Sequence, residues 1–477
     1  LAAAQAIGFT QVWVAGRTLY AQSVALAEAG YLTVPNGATR SMLLSFKTAL
    51  VGGLLFTLTI GAGLVVLTFV LIYLSRIAGL SRRLKQTLGG VIYLAGVILP
   101  NLSGFNAGAT LYMVAVPIVV WLFLRSSTVN PTWSKLVLHW VPLAIIAALM
   151  VVTTGDNLFI TIRDRLLLTN PVGRLVNDAY YRHTLAAVAV IQSLQQKQMR
   201  ACHIESSRGG ARIKQLAARL VTHDYLPVHG GAQVEVTLQD RTNGQLTFVS
   251  AHGDRYQTQA VAFEARPAET LAAVSAAFDR QTVFRQMLFW GLVLGLPVLV
   301  YGAINLSMQS LLNGLFSSIS ITAVLLLFWG IVALALVVGL RDYPVPESQA
   351  GLAATLKSQN KWQRVAALQA IARKRMELAT FGAYTNGITS PVIAERYWTA
   401  HALAAGDGPE ARRHLLRMLH DPQSNVVCMV LQSLGSRGDR RAIAIVTDHL
   451  SRSTHWYEQF YAYKALRRLG WVQSTLP

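Results

Sequence analysis

Charge is scarce in this chain of 477 residues, and negative charge is the scarcer sign. Charged residues make up 13% of it against 53% hydrophobic, and 22 Asp+Glu stand against 42 Lys+Arg. An ordinary soluble domain carries about 25% charge, so the shortage excludes a wholly soluble chain and points to a mainly α integral membrane protein. Cysteine is nearly absent. Cys202 and Cys428 lie far apart, which excludes a disulfide framework, a CxxC metal site and a CxxCH haem attachment. There is no Walker loop, no GxSxG and no HExxH, and no cofactor or catalytic residue is expected. The formal net charge of +20 marks loops held near anionic lipid rather than a nucleic-acid surface.

What the chain has is long apolar runs. A bilayer core needs about 20 apolar residues in a helix. Thr48–Ser75 supplies the first span. The uncharged block Gln86 to Leu124 is too long for one span and turns at "PNLSGFNAG", Pro100 to Gly108. Leu136–Thr153 is the fourth. The uncharged block Gln286–Leu340 would be about 80 Å long as one helix, so it folds back, with Asn305 to Gly314 as the expected turn. Six transmembrane helices result, over 43–153 and 286–340. Arg76, Arg82, Arg83 and Lys85 crowd one loop without an acid, which places that loop inside. The segment 154–285, everything beyond Arg341, and an amphipathic N-terminal segment at 1–42 then fall outside, on the periplasmic face of a bacterial inner membrane. The opening "LAAAQA" has the small residues found near signal-peptidase sites; a trimmed or incomplete sequence accounts for Leu1 equally well.

Ionisable groups at membrane depth are missing, and a transporter or proton pump needs them. Lys47 sits at an edge, and His139 stands beside Trp133 and Trp140 in an aromatic belt, without the second intramembrane histidine that a bis-histidine haem requires. Asn101, Asn106, Asn305 and Asn313 all fall at expected turns. The glycines from Gly52 to Gly63 permit close helix packing, within the chain or with a partner helix.

Between spans four and five, 154–285 reads as a small α+β extracytoplasmic domain. A helix is expected from Asn177 to Met199, with Asn177-Asp178 as its N-cap, and a second over "RIKQLAARLVTHDYLP". Alternation around Asn243-Gly244 predicts a hairpin in which Val234, Val236 and Leu238 answer Leu246 and Phe248. His203, His223, Asp224, His229 and His252 are near one another in sequence but match no metal spacing. Cys202 follows a cationic run, which lowers a thiol pKa if it is close; a plain free thiol is the simpler reading.

After a linker at 341–349 the chain becomes helical and basic over 350–477. Leu368, Leu403, Leu431 and Leu466 share a frame at intervals of 35, 28 and 35, with Gly406, Gly435 and Gly470 as expected helix stops. Second helices, "PEARRHLLRMLHD" and "RRAIAIVTDHLS", lie between. This resembles the HEAT-repeat family, in its short bacterial HEAT-like form, most clearly over Asp421 to Leu450 and in outline over 350–473. The resemblance implies an α-solenoid that binds proteins along a curved surface, and implies no reaction. Arg412-Arg413 and Arg440-Arg441 lie 28 residues apart, as do Leu403 and Leu431. They are the expected partner-binding residues, on one edge of adjacent repeats.

The expected role is a non-catalytic membrane scaffold, docking or assembly subunit of a multiprotein envelope complex, with other protein subunits as partners and anionic lipid as a further surface. A transporter or lipid-handling protein is the alternative, with the solenoid as a recruiting or gating domain. An enzyme working at the membrane surface through the outer domain is a third reading.

Overall fold

The computed structural model describes residues 1–125 and 158–474, apart from 80, 103, 230–231, 314–317, 383 and 407, together with 143, 144 and 148. Helix α1, Ala2–Glu28, opens the chain and buries Ala4, Gly8, Val12 and Gly16, one side chain every fourth residue. That stripe lets it lie against α2, Phe46–Ile77, at backbone contact. A Cβ on Gly8 would stand 2.8 Å from the Gly53 carbonyl, and one on Gly53 would stand 2.7 Å from the Phe9 nitrogen. Ala4 meets Gly61 and Gly16 meets Leu43, so α1 runs antiparallel to the first half of α2. Val14 is exposed on its far side along with Arg17. The small-residue stripe, rather than an apolar–polar division of 1–42, is what seats the helix. The Gly52–Gly63 glycines therefore serve packing inside the chain.

Helices α3, Arg82–Ile98, and α4, Ala107–Arg125, follow, with the turn between them where Pro100 to Gly108 predicts it. Asn106 caps α4, its Oδ1 accepting from Ala109 N at 3.0 Å. Among the described residues four helices are long and apolar enough to cross a membrane: α2, α4, Thr282–Leu312 and Ala323–Leu340. Six were expected. Arg82–Ile98 is only 17 residues long and opens on Arg82, Arg83 and Lys85, and Leu136–Thr153, with His139, lies outside the described residues except for 143, 144 and 148.

A short helical stretch at 158–167 leads into α5, Pro171–His183, and α6, Leu185–Ile191. The single helix expected from Asn177 to Met199 is therefore wrong in its bounds. Asn170 is the N-cap, its side chain accepting from Gly173 N at 2.7 Å, and Pro171 fills the first turn. Asn177 is instead buried mid-helix. Strand β1, Arg200–Ser206, begins where that helix was expected to end. Helix α7, Gly210–Val221, crosses over to β2, Tyr225–Pro227; β3, Val236–Asp240, β4, Gln245–Ser250, and β5, Arg255–Gln259, complete the sheet. Its order is β2-β1-β3-β4-β5. β1 is parallel to both neighbours, and the rest is antiparallel. The hairpin turns at Gly244, φ 80°, and pairs Leu238 with Phe248. Val236 faces Ser250, and Val234 lies outside the strand.

Helix α8, Pro267–Ala277, returns the chain to α9, Thr282–Leu312, and α10, Ser318–Leu340. A π turn in α2, Thr57–Gly61, meets a π turn in α9, Gly291–Gly295, where Gly291 lies on the Thr59 carbonyl. The fold-back comes later than Asn305. That residue is buried inside α9, and its Oδ1 accepts from Trp329 Nε1 at 2.9 Å, which satisfies a polar pair between two apolar helices.

Candidate functional site

The C-terminal helices form two rows. One holds α12, Lys361–Arg373, α13, Ile393–Ala402, α15, Ser424–Arg437, and α17, Trp456–Arg468. The other holds α11, Gln349–Leu356, α14, Pro409–Met418, and α16, Ile443–Arg452. Leu368, Leu403, Leu431 and Leu466 are at most 2% exposed, so the leucine frame is the core. Adjacent repeats are linked by ion pairs at matching places, Arg364 to Glu395 and Arg396 to Asp421, both 2.6 Å. Gly435 is not a helix stop. It lies inside α15, where a Cβ would come 2.8 Å from Ala465 Cα, so glycine is what lets α15 and α17 touch. The stop is Gly438, at φ 71°.

Within the first row α15 is buried on both sides. In α15 only Ser424, Gln432, Ser436 and Arg437 escape full burial. From α13 to α17 the inner side of this row is covered by the protein's own earlier segments. Trp398 Nε1 donates to Asp164 at 2.8 Å, and the Asn177 and Asn425 amides pair at 2.9 Å. Tyr181 packs on Tyr457 with ring centroids 4.3 Å apart. Asn36 donates to the Leu450, Ser451 and Ser453 carbonyls at 2.9–3.2 Å, closing the last turn of α16, and its own N–H donates to Gln459 at 3.0 Å. Asp224, in the left-handed region at φ 60°, accepts from Tyr463 Oη at 2.6 Å and from Arg467 Nε at 3.1 Å.

The second row is the open one. Arg413, Arg440 and Arg441 are exposed, and Arg412 is half-buried. Arg412 and Arg441 converge on Asp439, at 3.4 and 2.9 Å. The Arg441 guanidinium holds the Asp439 carboxyl below the usual carboxylate range, with Arg412 adding to it. Arg413 pairs with Glu410 at 3.2 Å, both well exposed, and such a pair contributes about 0.3 kcal/mol. The structure thus brings Arg412 and Arg441 together through a carboxylate that spans two repeats. The sequence shows Asp439 beside Arg440-Arg441, but only folding puts it beside Arg412.

The outer domain's histidines do not assemble. Among the described residues no group of three or more His, Cys, Asp and Glu is placed to hold a metal ion. Asp224 is turned to Tyr463, and His203 Nδ1 faces the Val228 carbonyl at 3.3 Å. Burial pushes both the Cys202 and Cys428 thiols up, away from the thiolate that a reactive cysteine needs.

These paired rows define an α-solenoid. A family model for HEAT repeats matches residues 385–467, which agrees with the resemblance read from the leucine frame. No curated protein and no solved structure matches the chain.

Proposed function

We propose that this chain is a non-catalytic, membrane-embedded scaffold or docking subunit of a multiprotein complex in a bacterial inner membrane. Its repeats and outer domain stand together on the periplasmic side. One observation carries the reading: the inner row of the solenoid is occupied by the protein's own segments, which leaves the outer row, with its arginines, as the face offered to others. HEAT repeats suit this, because a stack of helix pairs exposes an extended surface.

The contacts also support a common side. Asn36 precedes α2, Asp164 and Asn177 precede the sheet, and Gln459 and Trp398 follow α10, yet they touch. If the apolar helices cross a bilayer, an even number of crossings lies between Ser45 and 158, and another even number between Thr282 and Leu340. Arg76, Arg82, Arg83 and Lys85 then stand at the opposite face, as the positive-inside rule asks.

The partner surface suited to exposed guanidinium groups is acidic. Changing Arg412, Arg413, Arg440 and Arg441 together to Gln should leave the fold intact and weaken recovery of partner proteins from mild detergent. The loss should be larger at low salt than at high. Equal recovery of the same proteins would remove the docking assignment.

A lipid-handling role has one observation behind it. A groove of about 620 Å³ runs between α1, the start of α4 and the outer domain, lined by Ile7, Val14, Leu19 and Leu111 and ending near Lys197 and His252. Lys197 is paired with Glu235 at 3.3 Å, so the groove offers little free charge for a headgroup, and the scaffold reading is preferred.

A further inference from the structure

Helix α5 presents three arcs around its axis, and only two are accounted for. Gly173, Asn177 and Tyr181 face the solenoid, through the Asn177–Asn425 pair and the Tyr181–Tyr457 contact. Arg174, Asp178 and Arg182 form a charged arc. The third arc, Val172, Leu175, Val176 and Tyr180, is 71, 70, 54 and 46% exposed. Apolar side chains this open and this contiguous mark an interaction surface.

The position of α5 says what covers it. His183 Nδ1, at its C-terminal end, lies 3.2 Å from Thr48 Oγ1 in the first turn of α2. At that level Phe46 and Leu50 are themselves 63 and 40% exposed, and Lys47 marks the edge of the apolar run. The incoming segment carries Leu166, 40% exposed. The apolar arc of α5 therefore continues the apolar belt of α2 sideways instead of standing apart from it. Arg182 borders that arc beside Leu175, where lipid phosphates would meet it, while Asp178 and Arg174 lie farther round the helix. An open apolar face with a basic residue at its border, level with the start of an apolar helix, is the pattern of a helix that lies in the plane of a bilayer surface.

We propose that α5 is an interfacial helix. Its Val172, Leu175, Val176 and Tyr180 face is sunk at the headgroup–acyl boundary of the outer leaflet, and the HEAT repeats sit on its back. This rests on the membrane-embedded reading given above. The inner row of the solenoid is then held about one helix diameter, roughly 10 Å, above the lipid. Asn177 and Tyr181 hold it there, and the bilayer bears on the repeats through a single helix.

The test uses the full chain in vesicles of phosphatidylcholine and phosphatidylglycerol. A fluorophore is attached at Val176→Cys and, in separate variants, at Leu58→Cys on the exposed side of α2 and Ser436→Cys on the solenoid. Quenching by lipids brominated near the headgroup end of the acyl chain is compared with quenching by aqueous iodide. The proposal expects lipid quenching at 176 of at least about half that at 58, and only iodide quenching at 436. Iodide alone reaching 176, with 58 still quenched by lipid, overturns the interfacial helix and keeps the membrane reading. Neither quencher reaching 176 means that protein covers the arc, which also overturns it. No lipid quenching at 58 defeats the membrane reading and this proposal with it.

Discussion

The two rows of the solenoid have the same repeat and opposite surroundings. In the inner row α15 is buried from both sides, and its polar residues Asn425 and Ser433 are used inside the protein, on Asn177 and on the Ala400 carbonyl. In the outer row α16 buries only Val446 and Leu450, and its neighbours are arginines. One period in the sequence thus serves two ends: a row that fastens the tail to the rest of the chain, and a row that remains for others. A repeat family alone does not say which row is which. The polar contacts do, because a buried amide left without a partner costs about 1–3 kcal/mol, so paired amides between distant segments fix the register of docking.

Both rows depend most heavily on Leu431, which is fully buried. Leu431→Asp places an unpaired carboxylate there at a cost of several kcal/mol, comparable to the stability of a whole domain. Limited proteolysis of the full chain in detergent should then digest 350–477 while the apolar helices survive. A tail as resistant as the wild type would contradict the two-row core.

Asn36→Ala attacks the seat of the last repeat, where α16 ends and α17 begins. It removes three donations to the end of α16 and leaves carbonyls in a buried place. The expected loss is roughly 2–4 kcal/mol of docking, read as faster amide exchange in α16 and α17 with α12 and α13 unchanged. Uniform exchange across the tail would mean that the N-terminal loop does not seat it.

Much of this was legible in the sequence, and the exceptions share a cause. The apolar runs Thr48–Ser75 and Gln286–Leu340, the Asn243-Gly244 hairpin and the leucine frame are local or periodic signals, and each leads to the right element. β1 is parallel to two strands from later in the chain, so "RACHIES" carries no local pattern, and the sequence predicts no element there. Asn305 and Asn177 were read as turn and cap residues because exposed asparagine usually is one. Each is instead paired with a residue far away, Trp329 or Asn425. Gly435 has the right residue type for a stop, yet its reason is the approach of Ala465. The four arginines are visible in the sequence, whereas the counter-ion that Arg412 and Arg441 share at Asp439 is a product of stacking.

The smallest effect belongs to that counter-ion. Asp439 has a lowered pKa, so what it contributes is present above its unfolded value and lost only as pH falls through the lower folded one. The Arg412–Asp439–Arg441 cluster should therefore be insensitive to pH near neutrality. Asp439→Asn should leave thermal stability nearly unchanged and free two guanidinium groups, so that binding to acidic partners rises at low salt. Reduced binding would mean that the carboxylate itself is read by the partner.

The inner row is fastened to α5 through the Asn177–Asn425 amide pair, and a disulfide between Asn177→Cys and Asn425→Cys reports that contact in a chain carrying a protease site within 341–349. After oxidation in native membranes and cleavage, the two pieces should stay covalently joined until reduced, while either single variant falls into two. Separation of the pieces in the oxidised double variant would contradict that contact.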